Sequence, residues 1–400
     1  MNKTHVVLLA NEYPPFIIGG ISTFMRDLAQ GLLRKGIKVT VVTGCPSSAL
    51  KPRGHFVSEN DENGITVFRF SYPNLPPRHT VFQLANLKNL RDTIKRLNPD
   101  LVHGQSGSTY PVSDWLKEVA PIVVTFHTCP NVQKDLSVHS LIRGGTFSDF
   151  QTYVLGYPAW SYTSKKELQA SKASVTVSKT LRLDLLKEMG ERYQSKITEI
   201  HNGVDTESLS RDYNSVKDSD ETSTKTIIFA GRFFWGKGVL ELIRIASLLK
   251  KEAPDFRIII HGKGPLFGKV SSKIKELELN NIELCGFADR LQMMKSMRRS
   301  TFVVIPSFYE ACPMTLLEGM CLGKIPLMFR YKYALEFTKN GTYGVIAKDP
   351  KDMVEKLLEL CKTQNLSSLS NEIQVFARKN YDIARTAESY LQVYRNVQDL

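Results

Sequence analysis

Short, continuous apolar runs recur along the chain, separated by longer stretches in which apolar residues return every three or four positions. The runs His5–Ala10, Val39–Val42, Ile65–Arg69, Leu101–His103, Ile122–Phe126, Ser174–Val177 and Ile197–Ile200 read as short buried strands. Between the first two, Ser22–Lys35 reads as a helix. Phe24, Leu28, Leu32 and Leu33 share one face, Ser22 is placed to cap the start and Gly36 the end. Leu84–Leu97 has the same helical spacing. From Ser208 to Lys225 the pattern stops in a polar, Ser/Asp-rich stretch that reads as a linker. It then restarts. Thr226–Ala230, Arg257–His261, Ile282–Cys285, Phe302–Pro306 and Ile325–Met328 read as strands. Gly238–Lys251, Lys269–Leu277, Asp289–Arg298 and Pro313–Cys321 read as the helices among them, with Met353–Cys361 and Ala377–Val397 as terminal helices. Strands alternating with helices predict an α/β chain with parallel sheets covered on both faces. The domains expected are residues 1–207 and 226–383, joined by the linker 208–225.

Length agrees with this division, since 400 residues exceed one ordinary core. No apolar run approaches the ~18–20 residues of a spanning helix. The N-terminus enters a strand pattern without the features of a signal peptide, so a cytoplasmic location is expected. Six scattered cysteines without a C-x-x-C pair read as reduced thiols, and the eight histidines show no metal-ligand spacing. No metal is expected. The net charge of +13 fits phosphorylated substrates or an anionic lipid surface. It does not mark nucleic-acid binding, because no such module is visible and the cations are dispersed.

Four constellations fall at predicted strand ends, where open α/β sheets bind ligands. Pro306-Ser-Phe-Tyr-Glu310-Ala-Cys312-Pro-Met314-Thr315-Leu-Leu-Glu318 follows a buried strand and opens a helix. Backbone amides of Cys312, Met314 and Thr315 would be unpaired there, which suits phosphate. Glu310 and Glu318, about two turns apart, can lie near one side of that helix and hold opposite ends of an elongated ligand. On spacing alone, a capping Glu and a solvated Glu fit as well. Gly231-Arg232-Phe-Phe-Trp-Gly-Lys237-Gly238 places two cations in a Gly-containing loop, where they can neutralise a diphosphate leaving group or simply be solvated. Gly19-Gly20 after the first strand, and Gly262-Lys-Gly264-Pro265, allow close backbone approach or form ordinary turns. His127 ends a buried strand and reads as either a structural or a functional imidazole.

In this order, together with Val177-Ser178 and His201-Asn-Gly-Val-Asp205, these motifs resemble the retaining GT-B glycosyltransferases called glycosyl transferases group 1, from Val6 to about Val397. The resemblance implies two Rossmann-like domains facing across a cleft, with the C-terminal helix, residues 384–400, crossing back to the first. It implies transfer of a hexosyl group from a nucleotide-sugar such as UDP- or GDP-hexose to a glycan, lipid-linked or small-molecule acceptor. No metal takes part, and the anomeric configuration is retained by a front-face mechanism. Arg232 and Lys237 would hold the donor diphosphate, with Cys312, Met314 and Thr315 at its distal phosphate. Glu310 would meet the transferred sugar and Glu318 the ribose. Gly286 and Phe287 would meet the base, Gly264 would line the donor site, and His127, Gly19 and Gly20 would approach from the first domain. Two departures stand out. The stretch Phe329-Arg-Tyr-Lys-Tyr-Ala-Leu-Glu336 lacks the family's Gly-Gly turn, and Lys263 stands where an acid is frequent.

A nucleotide-sugar epimerase or hydrolase on the same scaffold would need further acid/base residues in the first domain, and none is evident beyond His127. A non-catalytic carbohydrate-binding relative would have no need to keep Glu310, Glu318, Arg232 and Lys237 together. The stretch Asn131–Lys166 carries Phe147, Phe150, Tyr153, Tyr157, Trp160 and Tyr162 beside Arg143, Lys165 and Lys166. That composition predicts peripheral docking on the inner face of an anionic membrane, or an aromatic core or acceptor groove.

Overall fold

Six successive buried residues, His5–Ala10, form β1 at the middle of a sheet. The computed structural model describes residues 4–16, 19–47, 56–75, 78–110, 112–142, 145, 154–216 and 225–398. The chain divides into two units. The first comprises Met1–Lys134, Gln151–Gly203 and Ile383–Leu400, and the second Asp135–Phe150 and Val204–Asp382.

The first unit is built on β1, β2 (Lys38–Ser47), β3 (Phe56–Glu62), β4 (Ile65–Pro73), β5 (Leu101–Gln105), β6 (Ile122–Phe126), β7 (Ala173–Thr176) and β8 (Ile197–Glu199). They lie in the order β3-β4-β2-β1-β5-β6-β7-β8. All neighbours are parallel except β3 and β4, which form an antiparallel hairpin at the sheet edge. The sequence reading had no β3. Its signal was nonetheless present: Asn63 and Gly64 both take the left-handed conformation (φ 55° and 82°), the two-residue turn whose twist matches a hairpin. The periodicity was weak because an edge strand buries little, and Phe56 and Val57 are exposed.

Helix α1 (Gly20–Arg34) starts two residues earlier than its periodicity suggests. Gly19 is the N-cap, and Ser22 does not cap. Its hydroxyl donates back to the Gly19 carbonyl (3.0 Å). At the other end the amides of Gly36 and Ile37 bond the carbonyls of Leu33 and Leu32, the double bond that closes a helix on a left-handed glycine. Helix α2 spans Arg78–Leu97, and α3 spans Ser113–Leu116. The long segment after His127 is not a plain connection, because it contains α4 (Pro130–Ile142) and α5 (Tyr157–Ala170). Helix α6 (Lys179–Met189) follows β7 and is capped by Ser178.

The main segment of the second unit, from Val204, begins with α7 (Thr206–Ser215), which corrects the expected linker 208–225. Asp205 caps this helix and Leu209 anchors it in the core, so a largely polar sequence still folds. The remainder of that stretch, 217–224, lies outside the described residues. There follow β9 (Thr226–Ala230), α8 (Val239–Glu252), β10 (Arg257–His261), α9 (Phe267–Glu276), β11 (Ile282–Gly286), α10 (Arg290–Arg299) and β12 (Phe302–Ile305). Then come α11 (Met314–Cys321), β13 (Ile325–Phe329), α12 (Lys332–Phe337), β14 (Val345–Ala347), α13 (Pro350–Thr363) and α14 (Leu366–Tyr381). The sheet order is β11-β10-β9-β12-β13-β14, all parallel.

The helix expected over Ala377–Val397 is two helices, α14 and α15 (Ile383–Gln398), broken at an extended Asp382 (ψ 138°). The Tyr381 carbonyl accepts from the Val204 amide (2.8 Å) instead of continuing the helical ladder. Helix α15 belongs to the first unit and packs on α1, where Gly31 leaves room for Ile383 and Ala387. Among the described residues no helix is long and apolar enough to cross a membrane.

Candidate active site

In the second unit the strand order turns outward in both directions from the β9/β12 pair, so the loops leaving those two strands diverge and open a crevice. They are the loops that carry Arg232, Lys237 and Glu310. Gly238 joins them. It is left-handed (φ 65°), and a Cβ there would stand 1.8 Å from the Pro306 carbonyl oxygen, so only glycine lets the loops touch. The Phe308 amide donates to the Gly236 carbonyl (2.9 Å), and Trp235 stacks on Phe308 at 4.3 Å between ring centroids.

On this frame Lys237 pairs with Glu310, and the Ser307 hydroxyl donates to the same carboxylate oxygen (2.7 Å). Both charged groups sit at the rim, with 28% and 13% of their side chains exposed. Arg232 is exposed, and its guanidinium makes no ion pair among the described residues. A third loop buttresses the first. The Phe233 amide donates to the Lys263 carbonyl (2.9 Å), and the Gly262 amide to that of Gly286 (2.7 Å). At Gly262 (φ 147°) a Cβ would meet the Gly231 carbonyl at 1.9 Å. Gly264 lies against the Phe233 backbone, and Phe287, next to Gly286, is 61% exposed.

Helix α11 starts at Met314 after an extended Pro313. Cys312 and Met314 are buried, so what they can offer a ligand is backbone N–H, as does Thr315 in the first turn. Glu310 lies on the loop that precedes the helix, and Glu318 lies within it. Each acid has its own cation. Glu318, almost fully buried, accepts from Arg290 Nη1 (2.6 Å), and Arg290 Nε donates to Asp212 of α7 (3.0 Å). Burial works against the Arg290 charge, but Glu318 and Asp212 outweigh it and hold the guanidinium above its usual range. Sequence reasoning missed Arg290, since its only signal was a basic residue just after β11, and Asp212 lay in the supposed linker.

Two more cations secure α7. Arg298 donates to the Tyr213 carbonyl (3.1 Å) with its guanidinium 4.9 Å from the ring centroid, and Lys324 Nζ donates to the Tyr213 hydroxyl (3.1 Å). Burial, reinforced by Arg298, pushes the Lys324 ammonium down to about 8.

In the first unit the order turns at β1/β5. After β1, the Gly19 amide donates to the buried Glu12 carboxylate (3.1 Å), and Gly20 begins α1, both glycines exposed. His127 follows β6 directly. Its Nε2 meets Gln105 Oε1 at 2.5 Å, and its ring stands edge-on to Phe24. Behind it lies a chain of buried polar groups. Gln105 Nε2 faces His103 Nε2 (3.5 Å), and His103 Nδ1 contacts the Tyr394 hydroxyl (2.7 Å). His103 Nε2 contacts Thr125 Oγ1 (2.8 Å), which contacts the Tyr390 hydroxyl (2.9 Å). Burial holds His127 below its ordinary pKa and pushes His103 down to about 3, so both rings are neutral. The loop after β5 is fixed by Glu167, whose buried carboxylate accepts from the amides of Gly107, Thr109 and Tyr110 and the Thr109 hydroxyl. Burial raises its pKa, and those bonds only partly offset the rise. None of these supporting residues stood out in the sequence. The one available signal was the alternation of His103 and Gln105 in an otherwise apolar strand.

Residues 18–208 match the family described as Glycosyltransferase Family 4, and residues 211–379 match Glycosyl transferases group 1. The chain is 24% identical to a glycogen synthase of Mycobacterium tuberculosis over 87% of its length and 83% of that protein's. Its fold is similar to that of sucrose-phosphate synthase from Thermosynechococcus elongatus (TM-score 0.79, 14% identity, 99% of each chain). It is also similar to HepE of Anabaena, solved in complex with UDP and glucose (TM-score 0.70, 15% identity, 98% of this chain and 100% of that one).

Proposed function

We propose that this chain, a glycosyltransferase of the group 1 type with the GT-B fold, transfers a hexosyl group from a nucleoside-diphosphate sugar to a glycan or lipid-linked acceptor with retention of configuration. The observation that carries this reading is the convergence of Arg232, Lys237, Glu310 and the first turn of α11 at the β9/β12 ends. Two cations and the backbone amides at the start of α11 suit a diphosphate, and an acid beside Lys237 is placed for a sugar hydroxyl. HepE, a fold relative, was solved in complex with UDP and glucose, and a sequence relative is a glycogen synthase.

In the reaction the bond from the anomeric carbon to the diphosphate oxygen breaks, and one from the acceptor oxygen to the same face of that carbon forms. The acceptor's proton passes to the departing phosphate oxygen. Positive charge grows on the sugar and negative charge on the leaving group, and fixed cations aimed at the latter lower the barrier. Arg232 and Lys237 fill that role here without a metal. Glu310 orients the sugar, Glu318 the ribose, and His127 meets the sugar from the first unit's β6 end.

The test is incubation with a panel of labelled nucleotide-sugars, with and without acceptors. Nucleotide release that requires acceptor, and a product whose anomeric NMR coupling matches the donor's, is expected. Acceptor-independent release marks a hydrolase, altered donor sugar marks an epimerase, and binding without turnover marks a carbohydrate-binding relative. For a lipid-linked acceptor, the first unit would meet an anionic bilayer. Leu155, Tyr162 and Lys165 are exposed for such a contact, while Arg143, Phe147, Phe150 and Tyr153 lie outside the described residues. Co-sedimentation with anionic vesicles at low salt is expected, and wild-type protein left in the supernatant rules it out.

A further inference from the structure

We propose that Gln105 is a positioning residue for the transfer reaction. Its side-chain amide holds His127 as the Nε2–H tautomer, and Tyr390 and Tyr394 of the C-terminal helix lock that amide in place through Thr125 and His103. The inference rests on the reading above, in which His127 faces the sugar.

An amide oxygen only accepts, so the His127 nitrogen that meets Gln105 Oε1 at 2.5 Å must carry the proton. In a neutral ring that leaves Nδ1 as the lone-pair nitrogen, and it has no hydrogen-bond partner among the described residues. Gln105 Nε2 faces His103 Nε2, which must then be an acceptor, so His103 carries its proton on Nδ1 and donates it to the Tyr394 hydroxyl. The remaining hydroxyls fall into line. Tyr390 donates to Thr125, and Thr125 donates to His103 Nε2. Thr125 takes the His103 Nε2 lone pair at 2.8 Å and Gln105 shares it at 3.5 Å; turning the amide would reverse every donor and acceptor in the set and leave Nε2 as the lone-pair nitrogen of His127, the outcome that overturns the proposal.

The members are buried: His103, Thr125 and Tyr390 show no exposure, and Gln105 and Tyr394 show 2%. Water therefore does not compete for the bonds, and an unmet donor or acceptor is costly. The strands β5 and β6 supply His103, Gln105 and Thr125, and α15 supplies Tyr390 and Tyr394, which contact them across 265 and 291 residues of chain. A helix at the far end of the sequence thus sets which nitrogen of His127 can accept a hydrogen bond from a sugar hydroxyl.

The experiment is a long-range ¹H–¹⁵N correlation spectrum of full-length protein at neutral pH, with His127 assigned by its loss in His127→Asn. A single Nε2–H tautomer is expected in wild type. An Nδ1–H tautomer or an even mixture overturns the proposal, and this measurement needs no variant to fold. In Gln105→Leu the tautomer should become mixed, and kcat should fall at least tenfold while donor KM stays within twofold. Gln105→Glu, which keeps an acceptor, should retain Nε2–H. Tyr394→Phe should produce a smaller shift in the same direction. A folded Gln105→Leu with unchanged tautomer and kcat overturns the assignment. If no donor turns over in wild type, the transferase reading fails, whereas the tautomer result still decides whether Gln105 sets the ring.

Discussion

At the end of β6 an imidazole is held by uncharged partners sealed from water, whereas at the ends of β9 and β12 the side chains are held by ion pairs near the surface. Gln105, His103, Tyr390 and Tyr394 are at most 2% exposed, while Lys237 and Glu310 keep 28% and 13% of their side chains in solvent. The contrast follows from desolvation. A charge taken fully out of water costs several kcal/mol unless every partner is in place, and a neutral hydrogen bond carries no such penalty. The first unit can therefore bury its network and gain orientation from it. The second keeps the Lys237–Glu310 pair near the rim and Arg232 exposed. Arg290 with Glu318 lies between the two cases: a buried carboxylate is tolerated because one guanidinium spans it and Asp212.

The sharpest break of this comparison is Arg232→Ala or Lys237→Ala. If the second crevice works by charge, each should lower kcat by about 10²–10³, or ~2–4 kcal/mol, with little change in Tm for the exposed Arg232. Near-normal turnover in both variants would remove the charge argument.

Next in size, the two acids should separate. Glu310→Gln is expected to lower kcat by roughly tenfold, since it stands beside Lys237 at the reacting end. Glu318→Gln is expected to raise donor KM by a similar factor, because it weakens the Arg290 pair and the non-reacting end of the donor. Steady-state kinetics over both substrates reads the split, and the reverse pattern would exchange the roles.

A smaller effect tests burial of charge directly. Lys324 titrates near 8 in the folded chain and near its ordinary ~10.4 when unfolded. Below about pH 8 both states are protonated, and the folded state bears the cost. Between about pH 8 and 10.4 the unfolded chain binds more protons, so this group makes stability rise with pH. Lys324→Met should lose that slope, and its Tm difference from wild type should change between pH 7 and 10. A pH-independent difference would show that Lys324 is not a buried cation. The smallest expected effect is that of chelation: turnover in excess EDTA should equal turnover with Mg²⁺, and activity restored only by a divalent ion would place a metal where fixed cations are proposed.

Most strands of both sheets were legible along the chain, because a parallel strand covered on both faces is a continuous apolar run whatever its neighbours are. Gly238, Gly262 and the start of α11 were legible for a similar reason: each is a backbone requirement met by a residue type at one position. Strand β3 was readable from Asn63-Gly64, though its exposed side blurred the pattern. Other features had no local signature. Helix α7 resembled a linker because it buries little more than Leu209 and depends on Arg290, Arg298 and Lys324 from other elements. The break at Asp382 arises because Val204 takes the Tyr381 carbonyl. The partners of the candidate site, Arg290 on Glu318 and Tyr394 behind His103 and Gln105, are joined by packing across 28 and 291 residues of chain. Periodicity and turn chemistry are properties of neighbouring residues, so the sequence by itself determined the elements and the loops that face the crevices. Which side chains meet is a property of distances between elements, and only the tertiary structure decided the ion pairs and the hydrogen-bond relay that hold those loops' residues in place.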